Sequence, residues 1–244
     1  MRALSASELL NVWEWGRTEP PFQRALMLLA ASCPDKVPEE LAMLPIGRRD
    51  ALLLKLRAWT CGPVLESMVA CTACKEQFEC AFTVEDIGLA PDENPPEHYT
   101  LRTGGYDVAF RLPNSTDLAE IAACKTIESG RRRLLERCLL RMNRGDDEIA
   151  VAQVPEAVVE AIAEHMAQAD AQADVRFALT CPACGHTWES IFDIVSYFWS
   201  EIDAWAHRTL DDIHTLAAAY CWTEAEILAL SARRRQFYID KVVR

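Results

Sequence analysis

The stretch VACTACKEQFECAF (residues 69–82) returns, little altered, as LTCPACGHTWESIF (residues 179–192). Aligned from Cys71 and Cys181, the copies share Cys, Ala and Cys, then an aromatic (Phe78, Trp188), a glutamate (Glu79, Glu189) and a phenylalanine (Phe82, Phe192), at a constant offset of 110 residues. A Cys-x-x-Cys turn brings two thiols to one side of a tight loop, and two such turns supply the tetrahedral four-sulfur shell that zinc favours. Each pair is preceded by a strand-like run (LESMVAC, VRFALTC) and followed by an alternating one (QFECAF, TWESIF). Each copy therefore reads as a hairpin tipped by its cysteine turn. Together they read as the two halves of one zinc ribbon, with Cys71, Cys74, Cys181 and Cys184 holding a single structural Zn2+. A long intervening segment is no obstacle, because loop-closure entropy grows only slowly with length.

Cys80 aligns with Ser190, and His186 with Glu76, so neither belongs to the repeated shell. A redox dithiol would need only one Cys-x-x-Cys, at the start of a helix beside a strand. A catalytic zinc keeps an open coordination position and usually takes His or a carboxylate, whereas four cysteines close the shell. Unligated thiols would leave the duplicated surroundings without a reason. The other six cysteines, Cys33, Cys61, Cys80, Cys124, Cys138 and Cys221, stand singly and read as small buried hydrophobes.

The chain has 244 residues, half of them hydrophobic and a quarter charged, which suits a globular protein able to bury a substantial core. Its formal net charge of -12 repels phosphate backbones and anionic bilayers, which argues against nucleic acid and membrane as partners. The opening MRALSASELLNVWEWGRTEPP lacks an apolar run followed by a small-residue cleavage site, and stretches such as ALMLLAA fall short of the ~20 residues a span needs. Ten cysteines without an export signal then point to reduced thiols in a cytoplasm, and so to metal or redox chemistry rather than a disulfide framework.

Outside the repeat the pattern is mainly helical. SASELLNVWEW opens on a capping box, Ser5 with Glu8, and stops near Gly16; PPFQRALMLLAASCP is bounded by prolines; IGRRDALLLKLRAWTCGP ends at Gly62 and Pro63. The segment after the first hairpin opens with an acidic Pro-rich loop, GLAPDENPPEHYT, followed by a hairpin, HYTLRTGGYDVAFRL, that turns at Gly104 and Gly105. A helix capped by Asn114 or Ser115, a cationic amphipathic helix RRRLLERCLLRMNRG and a helix starting at Pro155 complete it. Arg131, Arg132 and Arg133 read as a solvated face. From Ile194 to Tyr220 apolar residues recur every three or four positions as one long stripe, widened by Tyr197 and Trp199. Such a stripe packs internally or meets another chain, and Trp199, Trp205, Tyr220 and Trp222 are the candidates for meeting a partner. WTEAEILAL carries another capping box, Thr223 with Glu226, and SARRRQFYIDKVVR a last basic amphipathic helix.

Catalytic signatures are missing from the sequence: it has no phosphate-binding glycine loop, no G-x-S-x-G and no H-E-x-x-H. His207 and His214 share a helix face without a third ligand, and the adjacent Asp211 and Asp212 point apart, so no residue is assigned a catalytic role. The expected class is α+β, mainly α-helical, with helical lobes around the ribbon. Its expected segments are a helical N-terminal lobe (1–62), the first ribbon half (63–84), an insert (85–173), the second half (174–193) and the C-terminal helices (194–244).

The phrases IGRRDALLLKLRAWTCGPVLESMVACTAC, RLPNSTDLAEI with RRRLLERCL, and the run from LTCPACGHTWESIF to RRRQFYIDKV resemble a family of contractile-tailed phages and phage-tail-like contractile injection systems. Its members are described as baseplate proteins or baseplate hub assembly chaperones. The likeness runs from about Pro45 onward and is most specific at the cysteine turns and at Tyr-x-Trp-x-x-x-Glu-Ile, Tyr220 to Ile227. Thr72 and Lys75 stand where Pro and Gly are common, which leaves the ligands intact and loosens the turn. The resemblance implies a non-enzymatic role beside baseplate, hub or tail tube proteins, either helping to build the baseplate in the cytoplasm or remaining within it. A zinc-ribbon nucleic-acid-binding regulator and a Cys-x-x-Cys thiol oxidoreductase are the alternatives; the first would need a basic face, yet the ribbon copies carry Glu76, Glu79, Glu189 and Asp193.

Overall fold

The computed structural model describes residues 1–87, 96–145 and 147–242, so most of the acidic Pro-rich stretch lies outside the described residues. In chain order the elements are α1 (Ala6–Gly16), α2 (Pro21–Ser32), α3 (Pro38–Ala42), α4 (Ile46–Cys61), β1 (Val64–Ala70), β2 (Gln77–Thr83), α5 (Val84–Ile87), β3 (Tyr99–Thr103), β4 (Tyr106–Phe110), α6 (Ser115–Ala122), α7 (Ile127–Cys138), β5 (Leu139–Arg144), β6 (Asp147–Glu148), α8 (Glu156–Ala169), β7 (Arg176–Thr180), β8 (Thr187–Ile191), α9 (Ile194–Tyr220), α10 (Glu224–Leu228) and α11 (Ala232–Val242). The class is mixed α and β. The chain divides into two compact units, Met1–Asp35 with Ile194–Arg244, and Lys36–Asp193.

The first unit is helical, and α9 is its spine. Ile194, Phe198, Ile202, Thr209, Ile213 and Leu216 are buried at the spacing the sequence shows, and Val195, Trp199 and Ala206 widen the buried face. Helices α1, α2, α10 and α11 pack against it. The α1 N-terminus carries its reciprocal cap: Ser5 Oγ accepts from the Glu8 amide while the Glu8 carboxylate accepts from the Ser5 amide. At the other end of α1, Gly16 lets the Trp199 ring approach; a Cβ there would lie 2.3 Å from its Cη2 atom.

Among the described residues, the second unit holds three antiparallel sheets: the hairpin β1-β2, the four-stranded sheet β3-β4-β5-β6, and the hairpin β7-β8. The larger sheet turns from β3 to β4 at Gly104 and Gly105, both at positive φ as a two-residue hairpin turn demands. Its inner face and α8 form a core of Tyr106, Val108, Phe110, Met142, Val158 and Ile162. Helix α4 begins with no side-chain cap of its own; instead the Asp170 carboxylate accepts from the Gly47 amide at 2.9 Å, an approach that a Cβ at Gly47 would block.

Two expectations are corrected here. Leu139–Arg144, read as helix, is strand β5, with Val108 opposite Met142 and Asp107 opposite Asn143. Leu, Arg and Met favour helices intrinsically, but β4 presents an open edge and tertiary pairing overrides the local preference. The helix it was read into starts earlier, at Ile127, capped by the Thr126 hydroxyl, which accepts from the Ser129 amide.

A buried ion knot ties α6, α7 and β4 together. The fully buried Asp117 carboxylate accepts from Arg111 at 2.6 and 2.8 Å, from Arg137 at 2.7 Å and from the Asn114 amide at 3.0 Å. Burial alone would raise its pKa, but Arg111, the Asn114 amide and Arg137 together hold it below the ordinary carboxylate value. Removing the carboxylate while leaving two arginines behind is expected to cost on the order of 2–4 kcal/mol. The knot's stabilisation is complete above the unfolded Asp value of ~3.9 and is lost as pH falls through the lower folded value. The melting temperature of the wild type should therefore drop more steeply below about pH 4 than that of Asp117→Asn, which starts lower; parallel curves would remove Asp117 as the cause.

Candidate metal centre

The two cysteine turns are built alike. In the first, the Cys71 amide donates to the Glu76 carbonyl (2.9 Å) and the Lys75 amide to the Cys71 carbonyl (3.0 Å); in the second, Cys181 donates to His186 (2.9 Å) and Gly185 to Cys181 (2.9 Å). The residue after each second cysteine sits in the left-handed region, Lys75 at φ 64 and Gly185 at φ 72. Glycine occupies that conformation freely, while an L-residue there costs roughly 1–2 kcal/mol. Because glycine also has more unfolded-state freedom to lose, Lys75→Gly should leave stability unchanged or raise it by up to about 1 kcal/mol with metal content intact; a lowered melting temperature would show that the Lys75 side chain outweighs the backbone relief.

Each turn is aimed by its strands. Val69 faces Phe78 in the first hairpin and Leu179 faces Trp188 in the second, the same register displaced by the repeat. The Arg57 guanidinium on α4 donates to the carbonyls of Gly62 and Val64, both at 2.7 Å, and so anchors the entry into β1. The hairpins then meet through equivalent residues: Phe78 on Trp188 edge-on at 6.1 Å between ring centroids, and Phe82 on Phe192 at 5.5 Å. Phe177 completes the aromatic cluster against Phe82 at 4.3 Å.

The sulfur atoms follow the same exchange. Cys71 Sγ lies 3.7 Å from Cys184 Sγ, and Cys74 Sγ 3.6 Å from Cys181 Sγ, so the first cysteine of each pair faces the second of the other. All four lie within 4.8 Å of one another, the one such cluster of metal-ligating side chains among the described residues. A regular tetrahedron on Zn–S bonds of about 2.3 Å has edges of about 3.8 Å. The set is therefore compatible with a metal site. Cys71 and Cys181 are buried, Cys74 and Cys184 exposed.

Without a cation four sulfurs at this spacing cannot all ionise. Cys71, whose sulfur accepts from the Cys74 amide, is pulled down to about 6. The Glu76 amide pulls Cys74 down as well, but the neighbouring Cys184, Cys181 and Cys71 thiols, with burial, push it up to about 12. Thiols that resist joint deprotonation so close together are what a divalent ion relieves.

Other candidates fall elsewhere. His186 stays outside the sulfur shell and makes a 3.0 Å hydrogen bond with Thr72 Oγ1 on the opposite turn, a cross-link the sequence reading missed because the repeat does not contain it. Of the six other cysteines only Cys33 and Cys138 are buried; Cys61 and Cys221 are exposed, and Cys80 and Cys124 are half-buried, which corrects the reading of all six as buried hydrophobes. The arginine run is spent on ion pairs, Arg131 with Glu156, Arg132 with Glu136 and Arg133 with Glu120. His207 leans edge-on against Trp13, and both His207 and His214 are exposed. Trp199 is buried beneath the Arg24 guanidinium (4.5 Å), Trp205 and Trp222 are half-buried, and Tyr220 is exposed.

Compared with protein-family models, residues 6–199 match the one described as T4 bacteriophage base plate protein. The chain belongs to that family. The match takes in both cysteine turns and ends before the Tyr220 to Ile227 phrase. Neither the curated proteins nor the solved structures searched contain a match to the chain. A member of the T4 base plate family takes part in the structure or assembly of a phage base plate. No helix among the described residues is long and apolar enough to cross a membrane.

Proposed function

We propose that this base plate family member is a non-enzymatic zinc-ribbon protein, acting in the assembly or structure of the base plate of a contractile phage tail or tail-like injection system. Cys71, Cys74, Cys181 and Cys184 hold one structural Zn2+. The observation that carries the reading is the crosswise approach of the four sulfurs, 3.6 and 3.7 Å apart, in a chain of this family. A four-thiolate shell leaves no position for substrate or water, so the ion fixes the two hairpins against each other and does no chemistry. The rigid unit so formed, and the aromatic residues Trp205, Tyr220 and Trp222 on the helical unit, offer surfaces to hub, tail tube or other base plate proteins, while Trp199 holds α9 in place. The protein works in the cytoplasm of the producing cell and, as a resident subunit, in the finished particle.

Glu76, Glu79, Glu189 and Asp193 around the ribbon oppose a nucleic-acid regulator, and two buried sulfurs, Cys71 and Cys181, oppose a thiol oxidoreductase. The test is elemental analysis of the purified protein together with mass spectrometry of what co-purifies with it and of finished particles. One zinc per chain with tail or hub proteins in the pull-down supports the reading, and presence in or absence from particles separates subunit from chaperone. Iron in place of zinc would change the ion but keep the shell; nucleic acid alone in the pull-down would overturn the role.

A further inference from the structure

The end of α9 and helix α11 meet through a cluster of aromatic rings. Cys221 follows the helix in the left-handed region, φ 56, a conformation that costs a non-glycine residue roughly 1–2 kcal/mol. The reversal it makes folds Trp222 back onto Tyr220, with ring centroids 4.8 Å apart and planes 23° from parallel. Tyr238 of α11 meets both rings edge-on, at 5.0 Å from Trp222 and 5.9 Å from Tyr220, and touches Phe237 at 5.6 Å. Four aromatic rings thus form a continuous ladder, and its two ends, Tyr220 at 38% and Phe237 at 57%, are open to solvent.

Cations border the ladder. Arg233, Phe237 and Lys241 succeed one another at four-residue spacing on α11 and share one exposed face, with Arg234 beside them. The Lys241 ammonium lies 5.4 Å from the Phe237 ring centroid. The one acidic residue of α11, Asp240, is hydrogen-bonded to Gln236, and the third arginine, Arg235, is buried beside Asp212. In a chain of net charge -12, three exposed cations with no carboxylate partner among the described residues are set around exposed rings. Arginine and aromatic side chains together are the composition of interface hot spots.

We propose that this face, Tyr220, Trp222, Phe237 and Tyr238 rimmed by Arg233, Arg234 and Lys241, docks an acidic protein segment that carries an aromatic or aliphatic side chain among its carboxylates. The ladder takes the apolar side chain, and the cations take the flanking carboxylates. Single-stranded nucleic acid also suits rings and arginines, but it takes a cationic groove that tracks its backbone, whereas this face offers three cations on the single helix α11. The inference deepens the partner-binding part of the base plate reading, and its test uses no phage component, so the two can fail separately.

The test is titration of the intact zinc-loaded protein, followed by tryptophan fluorescence and by calorimetry, with three probes: a random copolymer of glutamate and tyrosine, polyglutamate, and oligo(dT). The copolymer is expected to bind more tightly than polyglutamate and to weaken as salt rises. Charge reversal at Arg233→Glu, Arg234→Glu and Lys241→Glu together should weaken it about tenfold or more. Phe237→Ala, on the exposed face, should abolish the advantage of the copolymer over polyglutamate while leaving the melting curve unchanged. No binding of the copolymer, or binding untouched by the triple variant, overturns the proposal. Tighter binding of oligo(dT), lost in the same variant, overturns it in favour of a nucleic-acid surface.

Discussion

Cys181→Ser is expected to release the metal and melt the paired hairpins. Cys181 is 1% exposed and stands 3.6 Å from Cys74, so the serine would leave a shell of three sulfurs and a buried hydroxyl too weak to ionise. Structural zinc contributes apparent binding energy of order ~10 kcal/mol, and because the site is assembled only in the folded chain, that energy is folding energy. The aromatic contacts Phe78–Trp188 and Phe82–Phe192 cannot replace it, since such pairs add only about 1 kcal/mol each beyond their buried area. Metal content by elemental analysis and a thermal melt followed by tryptophan fluorescence make the check. A variant that keeps one equivalent of metal and an unchanged melt would remove the four-cysteine site.

The second large effect is expected at Trp199→Ala. The indole is buried, its ring fills the space left by the missing side chain of Gly16, and the Arg24 guanidinium covers it. Truncation leaves a cavity at the junction of α1, α2 and α9 and should cost roughly 3–5 kcal/mol. The half-exposed Trp222, which touches only the Tyr220 and Tyr238 rings among the aromatic contacts of the described residues, should cost less when truncated in the same way, roughly 1–2 kcal/mol in stability. The two substitutions thus separate a residue that holds the helical unit together from one proposed to face a partner. Equal melting temperatures for the two variants would contradict the burial difference.

Much of the site could be read from the residues, because the information is local. A Cys-x-x-Cys turn, a strand before it and an alternating run after it are short-range patterns, and their repetition at a fixed offset says which halves belong together. The same holds for the capping boxes at Ser5 and Thr223 and for the stripe of α9, whose buried residues fall at the expected spacing. What could not be read depends on distant partners. Leu139–Arg144 has the composition of a helix and becomes a strand only because β4 stands ready beside it. Likewise, α4 belongs with Lys36–Asp193, where Asp170 caps its first turn, a contact spanning 123 residues of sequence. Asp117 looked like an ordinary helix-start acid, and its two arginines come from Arg111 before it and Arg137 on the following helix. The joining of Phe237 and Tyr238 to the Tyr220 and Trp222 rings needed the chain reversal at Cys221, which no residue type at that position announces.

The crosswise sulfur pairing also orders events in time. A ribosome adding about 5–20 residues per second exposes Cys74 roughly 5–20 s before the second turn has been made. Through that interval the first turn offers two thiols and lacks its counterpart. The core of Tyr106, Phe110, Met142 and Ile162 lies wholly between the two turns in the chain, so it can be complete before Cys184 leaves the exit tunnel. Its folding draws the ends of the intervening segment together and shortens the search that the last two ligands must make. On the zinc-ribbon reading, capture of an ion by all four sulfurs therefore waits until everything between the two turns has been translated.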